Sequence, residues 1–395
     1  RKDGSALDLP MVLGLLAAAE ILDQKSLEGC LAAGELALSS ALRPVRGILP
    51  TTALARDLGL ARIVVPRENG AEAASLDRGP EVVAAGSLRE LVAHLRGEAT
   101  LLPARSPEPA EPARGPDLSD VRGQHEARRA LEIAAAGGHN LLLVGNPGSG
   151  KTMLARRLPS ILPELEPEAA LVVTQVRSAA GLTLDFRGLV RDRPFRAPHH
   201  SITEAGLVGG GTPIRPGEVS LAHEGVLFLD EMPELPRRVL ETLRQPLEDR
   251  QITLVRARQA VRLPASFMLV GAANPCPCGW LGHASGRCTC REEEILRYVG
   301  RISGALLDRI DLVAEAPSLG AEELLDARPG EPSAEVRERV VLARKRQLAR
   351  EGRENARLPG ARVRTPGTFT PRARALLERS ADAHELSARS VDRGM

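Results

Sequence analysis

The sequence predicts an α/β fold, a parallel sheet with helices on both faces, preceded by a smaller α/β or α+β segment and followed by a helical one. Three observations carry this expectation. An apolar run at residues 140–144 leads straight into Gly145-Asn146-Pro147-Gly148-Ser149-Gly150-Lys151-Thr152, the pattern of buried strand, glycine-rich loop and helix start. Further apolar runs at residues 170–176, 225–229 and 266–272 stand beside polar or Gly/Pro punctuation, which reads as additional parallel strands. Beyond residue 322 such runs disappear, and residues 335–353 form a charged helical pattern with apolar positions at Val336, Val340, Ala343 and Leu348.

Taken in order, residues 9–21 and 88–95 read as helices and residues 61–65 as a short strand, which sets the first hundred residues apart. Residues 103–116 are rich in proline and charge, the composition of an extended, semi-rigid linker. Helical periodicity returns at residues 120–136 and leads into the strand before the glycine-rich loop. The resulting division is 1–100, a linker at 101–117, a core at 118–316 and a helical segment at 317–395.

Composition narrows the class. A chain of 395 residues is long enough for two or three cores. Hydrophobic content of 43% and charged content of 26% are ordinary for a soluble protein, and the net charge of +2 gives no global attraction to polyanions. Any nucleic-acid contact must therefore be a local patch. Residues 9–21 are closed by Glu20 and Asp23 and are too short to span a bilayer, so the chain reads as cytosolic.

The glycine-rich loop is a phosphate cradle. Its backbone N–H groups turn inward, Lys151 reaches the outer phosphates, and the Thr152 hydroxyl can hold Mg²⁺ at the start of the next helix. Among 53 Lys+Arg the chain has only four lysines, and one occupies this position. A compact ammonium fits between phosphates where a planar guanidinium does not.

The run 225–229 ends in Asp230 and Glu231, at the strand tip where α/β ligands bind. Asp230 is placed to hold Mg²⁺ and Glu231 to polarise an attacking water. Asn274 ends the 266–272 run and would orient that water or report hydrolysis. Cys276, Cys278, Cys288 and Cys290 fall within fifteen residues, and two readings stand. They offer four thiolates to tetrahedral Zn²⁺, with His283 as an alternative ligand, or they are reduced cysteines in a tight turn; the C-x-C spacing departs from common zinc ribbons. The adjacent His199 and His200 are expected to point apart and to bond locally or contact the inserted loop.

The set resembles the AAA+ ATPases, and the wording between motifs is similar to the magnesium-chelatase-like YifB/ComM family. The resemblance is carried by Arg193-Pro-Phe-Arg-Ala-Pro-His-His200, Gly209-Gly-Gly211, Arg215-Pro-Gly-Glu-Val-Ser-Leu-Ala-His223, Leu243-Arg-Gln-Pro-Leu-Glu248, Asn274-Pro-Cys-Pro-Cys-Gly279 and Arg301-Ile-Ser-Gly-Ala-Leu-Leu-Asp-Arg-Ile-Asp311. It implies an AAA+ P-loop NTPase core and a helical lid, in a hexameric ring that binds ATP and Mg²⁺ between subunits. Arg309 then matches the arginine finger given to the neighbouring subunit, with Arg301 a second candidate, and Arg389 matches the sensor-2 arginine of the lid.

The resemblance also implies action on DNA, similar to ComM-type branch-migration helicases in recombination during natural transformation. The alternatives are a magnesium-chelatase-like remodeller of a protein complex and a nucleotide-dependent scaffold. Residues 247–263 read as a hairpin of the kind that enters the ring pore, where Arg256, Arg258 and Arg262 would touch a DNA backbone; solvated strand residues are the competing reading. No aromatic lies in this hairpin, so base stacking is unsupported.

The first hundred residues resemble part of a Lon-protease-like domain. Ser5 falls in the nucleophile region, but Thr52 stands where the partner lysine is expected, and a serine without its base is a weak nucleophile. A retained fold without peptidase activity is the expectation. The chain opens in patterned sequence at Arg1 and stops at Met395 before the family's long lid helix, so both ends are expected to be shortened and Arg389 to be loosely held.

Overall fold

Five short apolar segments make the central sheet, and their alternation decides its two faces. The strands are Leu141–Val144, Phe195–Arg196, Val226–Leu229, Met268–Ala273 and Leu312–Glu315, all parallel. Leu141, Leu143, Val226, Phe228, Val270 and Ala272 point into one apolar cluster, whereas Leu142, Leu227, Leu229 and Leu269 point into another. A strand buried on both faces has no polar face to show, which is why each reads as a continuous apolar run. The computed structural model describes residues 5–107, 115–183, 185–256, 259–320, 329–359, 362, 370–383 and 391.

Numbered along the chain, the strands lie in the order 5-1-4-3-2. The strand leading to the glycine-rich loop sits beside the one ending at Asn274, and that one beside the strand ending at Asp230. Parallel strands present all their C-terminal tips at one sheet edge, so these three tips are brought together by topology alone. Helix His125–Gly137 and helix Lys151–Ile161 bury Leu131, Leu154 and Leu158 against the Leu141/Leu143 face. Each such leucine contributes roughly 1.5–3 kcal/mol on burial.

Two compact units divide the chain: Arg1–Pro112 with Leu165–Asp192 and Gly210–Pro216, and Ala113–Glu164 with Arg193–Gly209 and Gly217–Met395. The first unit is built on a three-stranded parallel sheet with Arg62–Pro66 between Cys30–Ala32 and Glu81–Ala85. Here too the period is two. Ile63 and Val65 face Ile48 and Ala73, while Val64 faces Leu9, Leu13 and Leu91.

Residues 170–176 form no strand. They lie within helix Pro167–Ala180, which belongs to the first unit. Pro167 opens this helix and Gly181, at φ 80°, closes it in the left-handed conformation, the asymmetric punctuation that favours helix. A short apolar run such as Ala-Leu-Val-Val carries no periodicity of its own, and here the flanking residues decide.

The long charged helix is present as Ser333–Glu351. Val336 and Val340 are buried as expected, but Leu348 is about half exposed and Arg344 and Gln347 turn inward instead. Arg344 Nε donates to Ala135 O at 2.8 Å and Gln347 Nε2 to Ala136 O at 3.1 Å. These carbonyls end helix His125–Gly137, where intrahelical donors run out. Arg344 also pairs with Glu354, and burial pulls its guanidinium down to about 10.

Removing one partner of a buried pair leaves the other charge without compensation. Glu354→Ala is expected to destabilise the second unit by about 3 kcal/mol. The midpoint of denaturant unfolding followed by helical circular dichroism checks this, with Glu351→Ala on the same helix end as the control.

Candidate functional site

The loop between strand Leu141–Val144 and helix Lys151–Ile161 is shaped by close approach. A Cβ at Gly145 would lie 2.1 Å from Ala316 O and 2.8 Å from Ser149 Oγ, so no larger residue fits the first position of the cradle. Lys151 is buried, and its Nζ donates to Gly145 O at 2.6 Å, Asn146 O at 2.9 Å and Asn274 Oδ1 at 3.2 Å. Burial pushes this ammonium below the usual lysine value, with Asp230 and Glu231 pulling the other way. Thr152 Oγ1 donates to Asp230 Oδ2 at 2.7 Å.

Asp230 follows the last residue of strand Val226–Leu229, and its second oxygen accepts from the Glu231 backbone N–H at 3.0 Å. Glu231 is exposed and sits at φ 48°. A left-handed conformation is disfavoured for a residue with a side chain, and such strain collects at functional sites. Lys151, Thr152, Asp230 and Asn274 are therefore one bonded constellation, with Glu231 at its open side. Hard oxygens from Thr152 and Asp230 at this spacing suit Mg²⁺.

Sequence reasoning missed Gln124. It is buried, and its Nε2 donates to Ser149 O at 2.9 Å and Pro317 O at 2.7 Å, clamping the far end of the loop to the chain beyond strand Leu312–Glu315. Its signal, a Gly-Gln step just before helix His125–Gly137, resembles an ordinary helix entry.

The four cysteines do converge. All four Sγ atoms lie within 4.8 Å of one another, and Cys276 is 3.4 Å from Cys278 and 3.8 Å from Cys288. The Trp280 backbone N–H, as the largest influence, draws the Cys278 thiol down to about 6. His283 stands outside this cluster and meets Ser285 Oγ at 2.7 Å.

Other expected residues fall elsewhere. Arg309 is buried and bonded to Glu248 and to Ala305 O, whereas Arg301 is half exposed and held by Glu234 at 2.7 Å. Strands Gln251–Arg256 and Gln259–Pro264 pair antiparallel, so the hairpin forms, with Arg262 exposed opposite Thr253. The backbone of Arg256 ends its first strand, while Arg258 and Arg389 lie outside the described residues. His199 and His200 do not point apart: their rings lie side by side at 4.0 Å, both exposed, with His199 Nδ1 at 2.8 Å from Ser201 Oγ. Contact between the two rings, tilted by 34°, overrides the divergence expected of adjacent side chains. Ser5 begins a short helical turn, and the buried Thr52 hydroxyl donates to Ile48 O at 2.8 Å. No described helix is long and apolar enough to cross a membrane.

A parallel sheet in the order 5-1-4-3-2, with the cradle after its first strand and an acidic pair after its third, makes the second unit an AAA+ P-loop domain. The family described as magnesium chelatase, subunit ChlI, matches residues 117–324, with related matches to subunit ChlI of Mg-chelatase at 1–69 and to the subunit ChlI C-terminal segment at 330–395. The chain belongs to this family as a YifB/ComM magnesium-chelatase-like protein. It is 45% identical to the protein YifB of Salmonella typhimurium over 368 residues, 92% of this chain and 71% of that one. Competence protein ComM of Haemophilus influenzae is 41% identical over 398 residues, 99% of this chain and 77% of that one. A solved complex of magnesium chelatase subunits BchI and BchD matches at TM-score 0.37 and 22% identity, over 70% of this chain and 91% of that one.

Proposed function

We propose that the chain is an ATP-hydrolysing subunit of a cytoplasmic, hexameric AAA+ ring that moves on DNA, as a ComM-type branch-migration motor would. The observation that supports this reading above others is the single bonded set Lys151, Thr152, Asp230 and Asn274 at three adjacent strand tips. ATP phosphates are held by the backbone N–H groups of residues 145–150 and by the Lys151 ammonium. Thr152 and Asp230 would hold Mg²⁺, which would supply charge neutralisation at the outer phosphates. Glu231 takes the proton from the attacking water, and Asn274 fixes the position of that water beside Lys151. Arg309, once released from Glu248, or Arg301 reaches the neighbouring subunit's nucleotide, and Arg389 closes from the lid. Cys276, Cys278, Cys288 and Cys290 would hold Zn²⁺ as a structural tetrathiolate site.

The first unit keeps a folded core without peptidase chemistry, since the Thr52 hydroxyl is committed to the backbone and offers Ser5 no base. DNA would meet the hairpin through Arg256, Arg258 and Arg262 as phosphate contacts. Steady-state ATP hydrolysis with and without single-stranded and forked DNA tests the motor. The expected result is stimulation by DNA that is lost when all three arginines become alanine, with the salt slope of DNA binding falling by about one for each contact removed. Turnover identical with and without DNA would sink the DNA reading and leave a remodeller of a protein complex.

A further inference from the structure

The cysteine knot grows directly out of the candidate nucleotide site. Asn274 contacts Lys151, and Cys276 follows two residues later. The Cys276-Pro-Cys278-Gly279 turn closes with the Gly279 N–H donating to Cys276 O at 3.0 Å. Gly279 O then accepts from Asn146 Nδ2 at 2.6 Å, a buried bond into the phosphate loop. Gly279 sits at φ 81°, and a Cβ there would lie 2.6 Å from Pro147 Cγ. Residues Asn146 and Pro147 thus rest on the turn that carries two of the thiols.

The other two thiols return to the same point. The intervening loop folds on Trp280, with the Arg287 guanidinium 5.4 Å above the indole ring and His283 edge-on at 4.9 Å. This brings Cys288 to 3.8 Å from both Cys276 and Cys278. A tetrahedral zinc tetrathiolate with Zn–S near 2.3 Å has sulphur atoms about 3.8 Å apart, whereas a disulfide requires about 2.05 Å. All four cysteines are free thiols. After Cys290 the chain enters helix Glu292–Val299, which carries buried Tyr298 in its last turn.

We infer that Zn²⁺ bound by Cys276, Cys278, Cys288 and Cys290 sets the affinity of the phosphate loop for nucleotide, by holding the Gly279 turn against Asn146 and Pro147. This rests on the reading of residues 145–152 as the ATP cradle and of the cysteines as a zinc site, and it adds what the metal does. Without a cation only weak S–H···S contacts at 3.4–3.8 Å join these thiols. Losing the metal spreads the knot, withdraws Gly279 O from Asn146 and leaves the loop without its floor. The metal acts at a distance from ATP, as a positioning device.

The test uses the whole chain. Elemental analysis should give about one zinc per chain, and Co²⁺ in its place should give the visible absorption of a tetrathiolate site. A fluorescent ATP analogue is then titrated into loaded, chelator-stripped and zinc-restored protein. Stripping should weaken binding by about tenfold and zinc alone should restore it. Gly279→Ala, which keeps all four thiols, should retain zinc and still bind nucleotide about tenfold more weakly. Cys290→Ser should lose both, and if that variant does not fold, the stripped protein and Gly279→Ala decide the matter. Equal affinity in loaded and stripped chains, or normal affinity in Gly279→Ala, overturns the coupling while leaving the zinc site standing. A chain that neither contains nor takes up zinc overturns the metal site. Zinc-loaded native protein that binds no nucleotide overturns the ATP-cradle reading itself.

Discussion

Lys151→Ala should abolish detectable nucleotide binding, with affinity reduced at least about a hundredfold. The lysine sits among three acceptors, Gly145 O, Asn146 O and Asn274 Oδ1, at 2.6–3.2 Å. These oxygens hold the ammonium where the strand tip meets the loop. Charge-assisted bonds from an ammonium to phosphate contribute roughly 1.5–3 kcal/mol each, so losing two of them accounts for the expected change. Burial works against the charged form, but Asp230 and Glu231 favour it. Lys151→Arg should fail nearly as completely, because a planar guanidinium cannot reproduce the compact arrangement of acceptors. Titration with a fluorescent ATP analogue measures the loss, and unchanged thermal melting shows that the loop alone was affected. Binding within threefold of the native chain would mean that nucleotide does not use this loop.

The strand tips explain why so much of this site is legible in the sequence. A buried parallel strand must be apolar throughout, so the residue that breaks each run marks a tip: Asp230 and Asn274 are polar, and Gly145 opens the glycine-rich loop. The rule fails where no sheet follows. Residues 170–176 have the same apolar density, but Pro167 and Gly181 frame a helix. Composition within the run does not carry that information; the punctuation outside it does.

Residues that act through one or two long-range bonds were invisible. Gln124 reaches Ser149 O across 25 positions, and Gly279 reaches Asn146 across 133. Neither residue type is unusual in its local setting. Arg344 and Gln347 illustrate the same limit in the fold: on a charged helix they read as solvated, yet they serve carbonyls that another helix cannot satisfy internally. The cysteines stand between these cases. Their types and proximity in sequence suggested thiolate ligands, but only the fold of residues 279–287 decides whether the two pairs meet.

Glu231→Gln should separate binding from chemistry. Nucleotide affinity should stay within about threefold of the native chain, because the amide keeps the size of the carboxylate and Glu231 touches none of the atoms that form the cradle. Turnover should fall by about a hundredfold or more, the usual contribution of a general base. The geometry leaves few substitutes. Asp230 is occupied on both oxygens, by the Thr152 hydroxyl and the Glu231 backbone N–H, and Glu234 is paired with Arg301. Glu231 is exposed and follows half-buried Asp230 at the strand tip in the left-handed conformation, without the partner that holds Glu234. Single-turnover hydrolysis, with affinity measured in parallel, distinguishes the outcomes. Loss of affinity together with turnover would make Glu231 part of the cradle, and unimpaired turnover would require the attacking water to be activated by another group.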